Sequence, residues 1–154
     1  METTSVIRSF EQLSNIQLYQ LLKLRSEVFV VEQNCVFLDA DDKDQKCHHL
    51  LLYKGEALAA YSRIVPAGVS YAEVSIGRVV TSPAFRGTGL GRELMERSIQ
   101  ACADLYGAQP VRIGAQYYAV KFYGSLGFVP EGEIYDEDGI DHIEMVLHPD
   151  KNII

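Results

Sequence analysis

At 154 residues and an ordinary balance of apolar and charged side chains, the chain fits one domain, 1–154, able to bury a proper core. A net charge of −7 argues against non-specific nucleic-acid binding, and no apolar run or N-terminal leader pattern points to a membrane or export. The cysteines, Cys35, Cys47 and Cys102, are odd in number and lack C-x-x-C spacing, so neither a disulfide framework nor a metal site is indicated and a reduced, cytoplasmic protein is expected.

A first strand is expected at about Ser5–Phe10, on a sheet edge. Ser14 and Gln17 have capping-box spacing and open a helix with Leu18, Leu21, Leu22, Arg25, Val28 and Phe29 on one broad face. The apolar stretch Val28–Val31 either continues that helix or bends it. Residues 39–46 carry four aspartates but lack the glycine and terminal glutamate of a calcium loop, so they read as a solvated loop. His48–Tyr53 and Ala57–Val65 read as a hairpin turning at Lys54-Gly55-Glu56. His48 and His49 are adjacent on a strand and face opposite ways, which disfavours a shared metal.

Ile76–Thr81 is a β-type run with Gly77 as a candidate bulge. It leads into Arg86-Gly87-Thr88-Gly89-Leu90-Gly91-Arg92. A helical pattern follows, with Leu94, Met95, Ile99, Ala101, Cys102 and Leu105. Glycines between a strand and a helix start let an anion approach backbone N–H groups at the positive end of the helix dipole. The G-x-G-x-G spacing departs from the dinucleotide fingerprint, and Arg92-Glu93 is not the Lys-Ser/Thr of a P-loop. A pyrophosphate-bearing ligand is the functional reading, with Arg86, Arg92 and Lys121 as nearby positive groups; a glycine turn that only caps the helix is the alternative. A strand at Val111–Gln116, a short helix at about Tyr118–Leu126 ending at Gly127, and strands near Phe128–Tyr135 and His142–Leu147 complete the pass. Asp138-Gly139 supplies a hairpin turn between the last two. The element order is that of an α/β (α+β) domain whose mostly antiparallel sheet contains one parallel step.

Arg86, Gly89 and Gly91 resemble the R-x-x-G-x-G acyl-CoA loop of the GNAT superfamily of N-acyltransferases. Gln116-x-x-Ala119-x-x-Phe122-Tyr123-x-x-Leu126-Gly127-Phe128 resembles the second motif of that family, with Gln116 where Asn is usual. Leu24-Arg25-x-x-Val28-Phe29-Val30-Val31-Glu32-Gln33-Asn34-Cys35, His49, Gly77–Val80 and the segment Asp138–Met145 resemble its ElaA-like branch. The resemblance covers nearly the whole chain. It implies a GNAT fold splayed around acyl-CoA, with acetyl-CoA as co-substrate and no metal.

The resemblance places the pyrophosphate on the backbone of Gly87, Thr88, Gly89, Leu90, Gly91 and Arg92. The pantetheine would lie along Val79, Val80 and Thr81, and Gln116, Ala119, Lys121 and Phe122 would flank the donor. Tyr123 is the implied general acid, assisting departure of the thiolate; packing beside Phe122 is its structural alternative. Glu32, Glu73 and His142 are candidate bases; the structural alternatives are a strand-end charge for Glu73 and a surface or satisfied core histidine for His142. Glu32, Arg78 and His142 are candidate acceptor contacts, with Glu32 and Arg78 either paired across the pocket or held in ordinary structural salt bridges. The implied reaction is direct transfer to an amine on a small molecule or peptide. A CoA-binding sensor without turnover and an acyl-homoserine-lactone-synthase-like reaction remain as alternatives. Edge strands at either end would also let two chains pair as a homodimer.

Overall fold

Ser14 closes the expected capping box: its hydroxyl accepts the Gln17 N–H at 3.0 Å, and the Gln17 side chain accepts the Ser14 N–H at 2.9 Å. Helix α1 (Asn15–Arg25) starts there. It neither ends nor bends at the apolar stretch but widens into a π-helical segment, Ser26–Glu32. Gln33 N–H reaches the Val28 carbonyl (3.1 Å) and Cys35 N–H the Val30 carbonyl (3.0 Å), the i→i+5 pattern of that geometry. Leu21, Leu24 and Val28 stay buried while Phe29, Glu32 and Gln33 are only partly covered or exposed.

The computed structural model describes residues 2–149. Its strands are β1 (Thr3–Ser9), β2 (His48–Lys54), β3 (Ala57–Val65), β4 (Val74–Thr81), β5 (Val111–Gln116), β6 (Val129–Pro130), β7 (Tyr135–Glu137) and β8 (Ile140–Leu147). They form one sheet in the order β1-β2-β3-β4-β5-β8-β6, with β7 also on β8 and β1 on an edge, as expected. The single long strand expected at Phe128–Tyr135 is instead two short ones, β6 and β7. Every pairing is antiparallel except β4 with β5. Alternate residues explain the covering layers. Leu51, Tyr61 and Val80 pack with α1, while Leu50, Leu52 and Ala60 pack with α2 (Leu90–Tyr106) on the other face. A short α3 (Val120–Gly124) follows a 3₁₀ turn, Tyr117–Ala119, so only the middle of the expected Tyr118–Leu126 helix is α-helical. Among the described residues no helix is long and apolar enough to cross a membrane.

β4 and β5 are parallel partners only at Val74–Val111 and Ser75–Arg112. Beyond these pairs they part, although β4 stays paired to β3 as far as Thr81 and β5 to β8 as far as Gln116. The β3–β4 register slips between the pairs Arg63–Gly77 and Tyr61–Val80, so the expected bulge is present. Its left-handed residue is Arg78, with φ +50°, rather than the glycine before it.

That conformation, which costs a non-glycine residue about 1 kcal/mol or more, is held by the segment expected to be a solvated loop. The expectation fails because three of the loop's four carboxylates, Asp39, Asp41 and Asp44, have guanidinium partners from distant segments, two of which, Arg25 and Arg63, are buried. Arg78 donates to the Asp39 carboxylate (2.8 Å) and carbonyl (2.9 Å). Arg25, fully buried, donates to Asp39 and Asp44 at 2.8 Å each. Arg63 binds Asp41 through two bonds of 2.8 Å and reaches Asp44 at 2.9 Å. Buried His49 donates from Nε2 to the Asp44 carbonyl (2.9 Å) and accepts the Tyr61 hydroxyl at Nδ1 (2.7 Å).

Burial alone would raise the pKa of Asp44, but the hydrogen bonds and charges of Arg25 and Arg63 outweigh it and hold it below the ordinary carboxylate value. A carboxylate with a depressed folded-state pKa contributes stability above its unfolded value of about 4, and that contribution fades as pH falls through the folded value. Removing one partner of a buried ionic cluster costs about 3–5 kcal/mol. Asp44→Asn is therefore expected to lose about 3 kcal/mol at pH 7 and to show a shallower acid-side decline than the parent. Denaturant unfolding at pH 7 and pH 3 checks both; equal stability of the two proteins at pH 7 would contradict the network's role.

Candidate functional site

Where β4 and β5 separate, a cavity of about 780 Å³ opens. The parted strands form two walls, from Ile76 to Thr81 and from Ile113 to Gln116. Phe29, Glu32 and Gln33 of the π-helical region close one side, and Tyr118, Ala119 and Tyr123 another; Ile140 and His142 of β8 complete the lining. The β4 edge at Val79–Thr81 faces this space with its other edge bound to β3. Val80 is also buried against α1, and Val79 packs beneath α2.

The glycine loop adjoins the cavity at Arg86. Gly87 (φ +80°) and Gly89 (φ +77°) are left-handed, and a Cβ at either would stand in open space. Gly91 has no such backbone demand; a Cβ there would sit 3.8 Å from the Thr81 hydroxyl, an ordinary contact. Gly89 caps α2 with no side chain. The amides of residues 87–92 donate to no protein acceptor among the described residues, so an unfilled donor cluster lies at the positive end of a 17-residue helix. The Thr88 hydroxyl turns back onto the Phe85 carbonyl at 2.8 Å, and Leu90 is buried in the core. Arg92 donates to the Ser125 hydroxyl at 3.0 Å, and Lys121 is exposed on α3.

Arg86 grips Glu32 through two bonds, of 2.7 and 2.5 Å. The hydrogen bond from Arg86 holds Glu32 below the usual carboxylate range. A Glu32–Arg78 pair across the pocket is therefore absent: Asp39 has taken Arg78, and Glu32 has taken the loop arginine. Of the two readings of Glu73, the structure has the strand-end charge and not the base. It lies at the closed end of β4, does not line the cavity, and is bound by Arg112 at 2.9 Å, whose hydrogen bond lowers its pKa. A carboxylate so placed and neutralised is no base for chemistry in the cleft.

The second predicted segment meets the cavity at Gln116, Ala119 and Tyr123. Gln116 faces Gln33 across the cleft, the two amides 3.4–3.5 Å apart. Phe122 packs into the core and lies edge-on to Tyr123 (66°), which is edge-on to Phe128 (76°). The Tyr123 hydroxyl has no hydrogen-bond partner among the described residues, and burial pushes its pKa up to about 12. Gly127, at φ +103°, ends this turn as expected. His142 is 6% exposed and stacks on Tyr135; its Nδ1 donates to the Ile140 carbonyl at 2.8 Å.

Two lining features lay outside the motifs. Tyr118 stands beside Tyr123 and is mostly exposed. Gly114 lies under the hydroxyls of Tyr71 and Tyr135, each of which would be only 2.8 Å from a Cβ at that position. A glycine inside an otherwise apolar strand was the available signal of such an approach.

A family model described as the acetyltransferase (GNAT) domain matches residues 26–149. This chain belongs to the GNAT acetyltransferase family. The protein ElaA of Escherichia coli (strain K12) is 45% identical over 136 residues, spanning 87% of this chain and 89% of its own. The crystal structure of Escherichia coli ElaA superposes with a TM-score of 0.90, covering 96% of this chain and all of that one. A crystal structure of an acyl-CoA N-acyltransferase from Pseudomonas aeruginosa, 40% identical, gives 0.89 over 95% of this chain and 99% of that one. A CoA-dependent acyl-homoserine lactone synthase matches with a TM-score of 0.78 over 97% of this chain and 85% of that one; at 18% identity it shares the fold alone. The GNAT fold, with its mostly antiparallel sheet parted at the single parallel step, is the architecture that the sequence motifs implied.

The glycine loop generates a direct test. Gly89→Asp adds a side chain at a left-handed position and a negative charge at the α2 N-terminus, where an anion would sit. Acyl-CoA affinity is expected to fall at least about 100-fold with the fold retained. Titration calorimetry with circular dichroism as the folding control measures both, and unchanged affinity would remove the loop from the binding site.

Proposed function

We propose that the cleft is the reaction chamber of an N-acetyltransferase that moves an acetyl group from acetyl-CoA directly to a primary amine in a ternary complex. The observation that carries this reading is the unpartnered phenol of Tyr123 on the wall between the parted strands, beside a glycine loop whose amides are also unpartnered. Both ends of a pantetheine thioester thus have donors waiting. Gly87 and Gly89 leave room for a pyrophosphate at the amides of residues 87–92, with Arg86, Arg92 and Lys121 supplying positive charge. The free edge of Val79, Val80 and Thr81 offers strand-like hydrogen bonds to pantetheine amides. The loop supports CoA over a carrier-protein donor, because only CoA carries the pyrophosphate that it suits.

Bound acetyl-CoA supplies an acyl group already activated as a thioester. Tyr123 stays protonated at neutral pH and donates its hydrogen bond to the departing sulfur. Its pKa of about 12 lies well above that of an ordinary thiol, near 8.5, so stabilising the thiolate is more favourable than full proton transfer to it. His142 is the remaining candidate base. A covalent acyl-enzyme is not part of the reading: burial pushes the Cys47 and Cys102 thiols up to about 11 and about 12, which disfavours the thiolate. The three free cysteines support a reducing, cytoplasmic setting, and one sheet that takes in both β1 and β8 supports a single domain.

Tyr123→Phe is expected to lower kcat by about 100-fold while acetyl-CoA affinity stays within a few-fold. Steady-state thiol release against a panel of amines, paired with calorimetry, tests it. An unchanged kcat would take the thiolate-stabilising role from Tyr123, and binding without turnover on any amine would favour a CoA sensor.

A further inference from the structure

Strand β4 contains a residue that its own backbone disfavours. Of the four non-glycine residues with positive φ among those described, Asn34, Asp42 and Asp138 are of the types that tolerate the left-handed region; Arg78, at φ +50°, is not. Its place in the strand is equally irregular. Val74 and Ile76 pack in the cluster that includes Met95 and Cys102 of α2, and strict alternation would send side chain 78 to that same apolar face. Val79 stands there instead, and Val80 packs with α1. The slip between the pairs Arg63–Gly77 and Tyr61–Val80 is where the phase of the strand changes.

The arginine enforces that change in two ways. In a regular strand its guanidinium would be buried without a partner, which is costly. In the bulge it leaves the core for the acidic loop. Nε donates to the Asp39 carboxylate, and Nη2 donates to the Asp39 carbonyl and, at 3.4 Å, to Asp41; the Phe37 ring centroid lies 5.7 Å from the guanidinium carbon. Arg78 lines the cleft, yet none of these bonds goes to a group of the cleft. Asp39 is held in turn by fully buried Arg25. The phase matters to the free edge. Backbone groups along a strand alternate between its two edges, so a one-residue shift would exchange those of Val79–Thr81 that face β3 with those that face the cleft.

Building on the transferase reading above, we infer that Arg78 is a positioning residue for the acyl donor: tied to Asp39, it sets the phase of β4 and so decides which amides and carbonyls the pantetheine meets. In this role it touches neither donor nor acceptor. The glycine loop lies past the 3₁₀ turn Pro83–Phe85, beyond the end of β4, so its amides keep their place whichever phase the strand takes. A side chain that cannot bind Asp39 and that fits the apolar face lets β4 return to regular register. Glycine, free of the left-handed penalty, keeps more of the bulge than alanine does.

Arg78→Ala and Arg78→Gly test this, because both remove the same guanidinium and leave the bond from Arg25 to Asp39 in place. Each is titrated calorimetrically with acetyl-CoA and with ADP, a probe that carries a pyrophosphate without pantetheine, and circular dichroism is the folding control. Arg78→Ala is expected to bind acetyl-CoA at least about tenfold more weakly than the parent, the equivalent of one or two lost backbone hydrogen bonds, with ADP affinity held within about twofold. Arg78→Gly is expected to bind acetyl-CoA at least about threefold more tightly than Arg78→Ala. A residue that only stabilised the fold would weaken both ligands alike or neither. NMR reads the register itself through the cross-strand contact of Tyr61, with Val80 in the parent and with Val79 in Arg78→Ala. Should the alanine variant not fold, the glycine variant decides, by a loss of acetyl-CoA affinity that ADP does not share. Unchanged acetyl-CoA affinity, equal losses for the two ligands, a Tyr61–Val80 contact retained in Arg78→Ala, or alanine and glycine variants that behave alike overturn the inference and leave the transferase standing. A parent protein that binds no acetyl-CoA takes down the transferase reading and this inference together.

Discussion

The cleft rests on one shared carboxylate. Asp39 receives Arg25 from the end of α1 through one oxygen and Arg78 from the β4 bulge through the other. The first contact anchors the helix where it widens into the π-helical segment. The second holds a left-handed arginine in a strand. A β-bulge needs something to keep the strand from relaxing into regular register, and here the restraint is ionic and buried. Desolvating so many charges is expensive, and a well-packed apolar cluster could match its net stability. An apolar cluster could not aim a backbone bend so specifically at one residue.

The parting of β4 and β5 follows from the same geometry. Two parallel pairs hold the strands together at one end, and the bulge carries β4 away from β5 beyond them. A pair of strands that separates inside a sheet leaves backbone donors and acceptors without neighbours. That would be a defect in a purely structural sheet. In a family that binds acyl-CoA it provides a ready-made edge for an extended, amide-containing ligand. The glycine loop repeats the principle at the start of α2, where the first-turn amides are left without a side-chain cap.

What could be read from the sequence was local. The capping box at Ser14, the glycines at 87 and 89, the C-cap at Gly127 and the turn at Asp138-Gly139 each depend on residues within one or two turns of chain, and each stands where its chemistry required. The acidic loop is not legible locally, because its partners are arginines 14 to 39 residues away. Arg25 looked like one polar interruption on an apolar helix face, yet it is buried by virtue of its partners. Glu32 had two arginines to choose between, and only the three-dimensional path of the β4 bulge gave Arg78 to Asp39. Glu73 precedes the right strand but sits at its wrong end, a distinction invisible until the splay is seen. The Asp138-Gly139 turn was legible in the sequence, but only the fold brings that hairpin beside Gln33 and Cys35.

The bond from Cys35 to the Asp138 carbonyl joins positions 103 residues apart and ties the end of the π-helical region to the terminal hairpin. The β4 bulge and the glycine loop sit on a continuous middle stretch of chain, whereas this contact is borrowed from the two flanks. A change in the short terminal hairpin therefore reshapes one side of the cleft without touching the glycine loop or the β4 bulge.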